Sequence, residues 1–157
     1  MCLIIYLIFK CTMKIIPIGS DHAGYQLKEK IKNYLEKKGY VLKDFGCYSE
    51  ESIDYPDFGH PVAEMVQNES HILGILICGS GNGINMTANK HQGIRSALCW
   101  NKEIASLARQ HNDANIVALP ARFISEKEAY EIIDAFFNTS FEGGRHQKRI
   151  DKIPCCN

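Results

Sequence analysis

The chain has 157 residues and contains no Cys-x-x-Cys pair and no ligand spacing typical of a zinc site. Its cysteines are odd in number and scattered: Cys2, Cys11, Cys47, Cys78, Cys99, Cys155 and Cys156. That argues against a disulfide framework and for a reducing, cytoplasmic setting. No apolar run reaches the ~20 residues that span a bilayer. Neither sign of charge is in excess, with Lys+Arg and Asp+Glu both at 18. A global basic field for nucleic acid is therefore missing. Also missing are the G-x-x-x-x-G-K-[ST] phosphate loop and a G-x-G-x-x-G turn after the first strand, which disfavours nucleotide binding. Repeats, low-complexity tracts and flexible linkers are absent.

What the chain does have is a regular alternation of strand and helix signals. Met1 to Phe9 is almost wholly apolar but lacks the basic start and small-residue cleavage site of a signal peptide. Residues 1–12 are read as an apolar N-terminal extension, with the functional chain opening near Met13. Residues 13–157 are read as one domain with a basic tail. Strands are expected at Ile15–Ile18, Tyr40–Phe45, Ile72–Ile77, Ile94–Leu98 and Asn115–Leu119. Between them, helical spacing runs from Gly24 to Lys38, from a cap at Asp57 through Gln67, from Asn82 to Lys90, and from a cap at Asn101 to His111. Ser125 and Glu128 form a capping box for a helix through Phe137. The cationic run Arg145–Arg149 closes the chain as a short helix or a solvated tail. Five strands with intervening helices predict an open, parallel, five-stranded α/β sheet.

Ligands of such sheets sit at the carboxyl ends of strands, near a switch in winding. Three polar clusters fall there: Asp21-His22 after strand one, Cys78–Gly83 after strand three, and Pro120-Ala121-Arg122 after strand five. The run Cys78-Gly79-Ser80-Gly81-Asn82-Gly83 combines a thiol with bare backbone N–H groups that favour negative charge. Those dipoles are expected to lower the thiol pKa. Each residue also has a bland reading. Cys78 could be a packed core thiol, as Cys99 is read to be. Asp21 could simply cap a turn with His22 beside it. His111 could serve a helix dipole, and Arg122 and the tail arginines could be surface charge. Together, an acid–base pair, an anion loop and several arginines fit a small phosphorylated substrate.

The stretches Gly19-Ser20-Asp21-His22-Ala23-Gly24, Asp54-Tyr55-Pro56, Ile77–Ile84, Ala88-Asn89-Lys90, Arg109–Asn115 and Glu142-Gly143-Gly144-Arg145-His146 resemble the ribose-5-phosphate isomerase B family in order and spacing. The resemblance covers about Met13 to Ile153. It implies a three-layer α/β/α sandwich around a Rossmann-like sheet. It also implies an aldose–ketose isomerase of the pentose phosphate pathway, interconverting ribose 5-phosphate and ribulose 5-phosphate without metal or cofactor. By position, Cys78 matches the family's base and His111 the group that opens the furanose ring. Asp21, His22 and Tyr55 match pocket residues. Gly79, Ser80, Gly81, Asn82 and Gly83 match the loop that stabilises the enediolate. Asn112, Arg122, Arg145 and Arg149 match sugar- and phosphate-binding positions. Some relatives carry a glutamate later in the loop, where this chain has Ile84, so it is of the cysteine type. The family further implies a homodimer with composite active sites, or a tetramer, and neither nucleic acid nor membrane as partner. Ser80, next to the base, is placed to relay a hydroxyl proton. Isomerisation of a six-carbon sugar phosphate and non-catalytic sugar-phosphate sensing are the alternatives.

Overall fold

Asp44, where the second strand ends, receives two lysine ammonium groups from the first helix, and this cluster fixes one side of the sheet. Lys28 Nζ lies 2.6 Å and Lys32 Nζ 2.6 Å from Asp44 Oδ2. Lys28 is wholly buried. The computed structural model describes residues 15–69 and 71–154. The apolar segment 1–12, the Met13 opening, Cys2, Cys11 and the Cys155-Cys156 pair lie outside the described residues.

The elements alternate along the chain. β1 (Ile15–Ser20) leads through a single 3-10 turn to α1 (Tyr25–Lys37) and β2 (Val41–Asp44). Then come α2 (Pro56–Asn68), β3 (Gly74–Cys78), α3 (Asn82–Ala88) and β4 (Ser96–Leu98). The chain ends with α4 (Lys102–Asn112), β5 (Ile116–Pro120), α5 (Glu126–Asn138) and α6 (Arg145–Ile150). All pairings are parallel, in the order β2-β1-β3-β5-β4. The winding reverses between β1 and β3, so the crevice that binds ligands in open α/β sheets lies at their carboxyl ends.

Both faces of the sheet are covered, which is why β3 and β5 are buried at every position. Side chains alternate along each strand. Ile75 and Ile77 of β3, with Val117 and Leu119 of β5, pack under α1, α4 and α5 through Ile31, Ala105, Ile132 and Phe136. Leu76, Cys78, Ile116 and Ala118 face the other way, against Val62, Val66 and Ile84 of α2 and α3. The expected three-layer α/β/α sandwich with five parallel strands is what forms.

Helix starts follow the sequence signals with one exception. Asn101 Oδ1 accepts from the Ile104 N–H at 2.9 Å. Ser125 and Glu128 make the reciprocal capping box. Asp57 does not cap α2. Tyr55 is the N-cap residue, without a side-chain bond, and Asp57 lies inside the first turn. Pro56 explains the shift, since a proline fits the first helical position and needs no donor partner. Strand ends also move: β3 begins at Gly74, two residues later than expected, and includes Cys78 as its last residue.

Burial pushes the Asp44 carboxyl upward, but the hydrogen bonds from Lys28, Lys32 and the Gly46 N–H outweigh it and hold the pKa below its ordinary 3.8. A carboxyl depressed on folding stabilises the native state above its unfolded pKa, and that contribution is lost as pH falls through the folded value. Denaturant midpoints are therefore expected to drop on acidification below about pH 4. Asp44→Asn leaves Lys28 buried without its main counter-ion, a change expected to cost about 3 kcal/mol at pH 7. Its acid drop should also be shallower. Equal stability of variant and native protein across about pH 3–7, measured by urea unfolding, would contradict the role given to this cluster.

Candidate active site

Cys78 is the last residue of β3, and the sheet delivers it to the switch-point crevice. Its carbonyl accepts from the Ala121 N–H at 2.9 Å, and the Gly79 carbonyl accepts from the Arg122 N–H at 3.1 Å. These bonds tie the loop after β5 to the loop after β3. Across the crevice, the Asp21 N–H donates to the Ile77 carbonyl at 3.1 Å, so the end of β1 is locked to the same strand. Asp21 is buried and caps the 3-10 turn, its Oδ1 accepting from the Gly24 N–H at 2.9 Å. His22 Nδ1 accepts from the Ile53 N–H at 3.3 Å. In a neutral His22 the proton is therefore on Nε2, which remains free to donate.

The glycine loop is shaped by two requirements. Gly81 adopts φ 74°, in the left-handed region, and starts α3 from there. At Gly83 a Cβ would stand 2.6 Å from the Tyr55 ring, so only glycine lets that ring lie over the loop. At Gly79 a Cβ would meet the Arg122 guanidinium at 3.3 Å. Tyr55, Arg122 and Cys78 thus surround one loop. Ser80 and Asn82 are exposed at its rim, where Ser80 Oγ accepts from the Asn82 N–H at 3.4 Å.

His111 lies elsewhere. α4 leaves the carboxyl end of β4 and returns to the amino end of β5, a travel of about 16 Å for its 11 residues. Its last turn therefore sits at the opposite edge of the sheet from Cys78. The recess of about 770 Å³ at that edge confirms the placement, being lined by the strand starts at Ile15, Leu73 and Asn115 together with Arg109 and Asp113. Asn112 ends α4, and its carbonyl accepts from Arg95 Nε at 2.8 Å. The His111 ring stacks on His146 with centroids 4.2 Å apart and planes 7° from parallel. Arg145 and Arg149 are exposed, one turn apart on α6. Within one chain the candidate residues thus form two groups. Asp21, His22, Tyr55, Cys78, Gly79–Gly83 and Arg122 share the carboxyl edge. His111, Asn112, Arg145 and Arg149 gather at the far end of α4.

A family model described as ribose/galactose isomerase matches residues 16–153. Ribose-5-phosphate isomerase B of Escherichia coli K12 is 43% identical over 141 residues, 90% of this chain and 95% of that protein. Among solved structures, the Clostridium thermocellum ribose-5-phosphate isomerase B superposes with TM-score 0.87 at 50% identity, covering 88% of this chain and 94% of that one. The Mycoplasma genitalium enzyme, solved with bound ribulose 5-phosphate, gives 0.85 at 47% identity over 88% and 93% of the two chains. The chain belongs to the ribose/galactose isomerase family.

In this member of the ribose/galactose isomerase family the thiol departs from expectation. The Gly81 and Ser80 backbone N–H groups do favour the thiolate. Burial nevertheless pushes the Cys78 pKa up, and the hydrogen-bonded Asp21 carboxylate adds to the rise, so the net shift is above the ordinary 9.0. Sequence reasoning weighed the loop dipoles and left out the carboxylate across the crevice. By contrast Cys99, read as core, is pushed by burial to about 12. Glu142 and His146 were also missed as neighbours of His111. Gly143 and Gly144 both have positive φ, and their turn brings Glu142 back against α4, where its N–H donates to the Gln110 carbonyl at 3.0 Å.

Asp21→Asn keeps the capping oxygen but removes the negative charge. The midpoint for iodoacetamide alkylation of Cys78, followed by mass spectrometry of its peptide, is expected to move to lower pH in that variant. An unmoved midpoint would show that Asp21 does not govern the thiol.

Proposed function

We infer that this chain interconverts ribose 5-phosphate and ribulose 5-phosphate by moving a proton between C2 and C1 through an enediolate. The observation that carries this reading is the Cys78 thiol at the switch point, influenced by the Asp21 carboxylate on one side and the Gly81 and Ser80 N–H groups of the glycine loop on the other. A base and donors for a developing oxyanion are thereby set within one loop. Likeness to a protein solved with ribulose 5-phosphate bound supports the substrate.

Cys78 takes the substrate carbon proton as thiolate. Asp21 faces that thiol and raises its pKa while the site is empty. The Gly79–Gly83 N–H groups then hold the oxygen on which charge grows, and Ser80, exposed at the rim, relays the hydroxyl proton. His111 protonates the ring oxygen as the furanose opens, a task suited to an imidazole near neutral pH. His22 and Tyr55 orient the sugar hydroxyls, with Asn112 as a further sugar contact. Arg122, Arg145 and Arg149 bind the phosphate. Guanidinium forks hold phosphate bidentately and place the reacting carbons through remote binding energy. No step in this scheme calls on a metal. The reducing cytoplasm expected from the cysteines keeps Cys78 available, and the reaction fits pentose phosphate interconversion there.

Because α4 carries His111 to the opposite edge of the sheet, one chain does not bring acid and base to one substrate. We propose a homodimer in which His111, Asn112, Arg145 and Arg149 of one copy complete the Cys78 crevice of the other. Cys78→Ala and His111→Ala should each lose activity, the first by at least ~10²-fold. Mixing the two inactive proteins under subunit exchange should restore about a quarter of native activity, because half the dimers are mixed and each has one intact site. Recovery of none, with exchange verified by native mass spectrometry, would place both groups in one chain.

A further inference from the structure

His111 also belongs to a second cluster, whose other two members, Glu142 and His146, have no part in the isomerisation scheme. Its Nε2 lies 3.9 Å from Glu142 Oε2, and His146 Nε2 lies 3.6 Å from the same oxygen. The three ligand atoms all fall within 4.8 Å of one another. A tetrahedral zinc ion with bonds of ~2.0–2.1 Å needs ligand atoms about 3.3 Å apart. The two measured edges therefore exceed that spacing by a few tenths of an ångström, within reach of side-chain rotation.

The second observation is His146 itself. Its side chain is only 7% exposed, yet its ring makes no hydrogen bond to any described residue. Glu142 Oε2 is 3.6 Å from its Nε2 and the His111 ring is stacked on it, so both other donors stand beside a ring already held in place by burial. Two imidazoles and one carboxylate are a donor set suited to zinc, with a fourth position left to water. Arg145 and Arg149 lie on the same short helix as His146, and their charges oppose a cation here. They make the site a moderate binder and not a permanent metal centre.

We propose that His111, Glu142 and His146 form a divalent-metal site for zinc-type ions, and that filling it switches the enzyme off. Parallel stacked rings hold their lone pairs in separate planes, so metal binding must turn His111 out of the stack. A coordinated Nε2 also has no lone pair with which to pick up a proton. Ring opening stops while the ion is held and resumes when a chelator removes it. The inhibition rests on the ring-opening role given to His111 above; the binding site does not.

The test uses untagged full-length protein, Zn²⁺ and Co²⁺ as probes, and native, Glu142→Gln and His146→Gln chains. Binding is read by calorimetry and by the visible spectrum of bound Co²⁺. Activity is read separately, each protein being referred to its own rate in EDTA. The expected result is one ion per chain, a Co²⁺ spectrum without thiolate-to-metal charge transfer, and inhibition reversed by EDTA. Both variants should need at least tenfold more zinc for binding and for inhibition. Unchanged zinc binding in the variants, or a thiolate band, would put the ion on a cysteine and overturn the site. Zinc bound at the histidines without loss of rate would overturn the switch. An enzyme inactive even in EDTA would count against the isomerase reading, while the binding arm would still decide the site.

Discussion

Every strand of the sheet points the same way, and the function depends on this one constraint. Loops that follow strands share one edge, and loops that precede strands share the other. Asp21, Cys78 and Arg122 follow β1, β3 and β5, so three distant parts of the sequence meet in one crevice. The backbone bonds from Asp21 to Ile77 and from Ala121 to Cys78 make that meeting rigid. The same rule sends His111 to the other edge, because a helix between parallel strands must run back along them. In the proposed homodimer a second copy of the chain resolves the separation without bending the sheet, and gives the exposed arginines of α6 a phosphate to bind.

The chemistry of Cys78 turns on competing local fields. Burial and Asp21 keep the thiol protonated, while the Ser80 and Gly81 N–H groups pull toward the thiolate. A resting thiol resists oxidation and alkylation, which follow the thiolate. Deprotonation then belongs to the substrate-bound site. In the proposed mechanism water is displaced there and arginines gather around the phosphate, so the base is held near its target and armed only when the pocket is full.

Much of the fold was legible because β3 and β5 are short continuous apolar runs bounded by glycine, proline and asparagine. The caps at Asn101 and Ser125 were legible because their bonds reach only three residues ahead. The Asp57 cap failed because Pro56, as the first helical residue, set the helix start two positions earlier. Site residues could be named from motif spacing, and the crevice at β1, β3 and β5 follows from strand direction. The rest depends on contacts made across the fold. Asp21 acts on Cys78 from 57 positions away in the chain. The Glu142 and His146 pairing with His111 needs the turn at Gly143-Gly144, whose positive φ values bring a tail segment back onto α4. Local patterns do not encode either of these.

The most direct measurement is the rate at which the purified chain converts ribose 5-phosphate to ribulose 5-phosphate with EDTA present, beside allose 6-phosphate and galactose 6-phosphate at equal concentration. The account predicts turnover of the five-carbon phosphate in chelator and much slower turnover of the hexose phosphates. No conversion of ribose 5-phosphate, or faster conversion of either hexose phosphate, would contradict it.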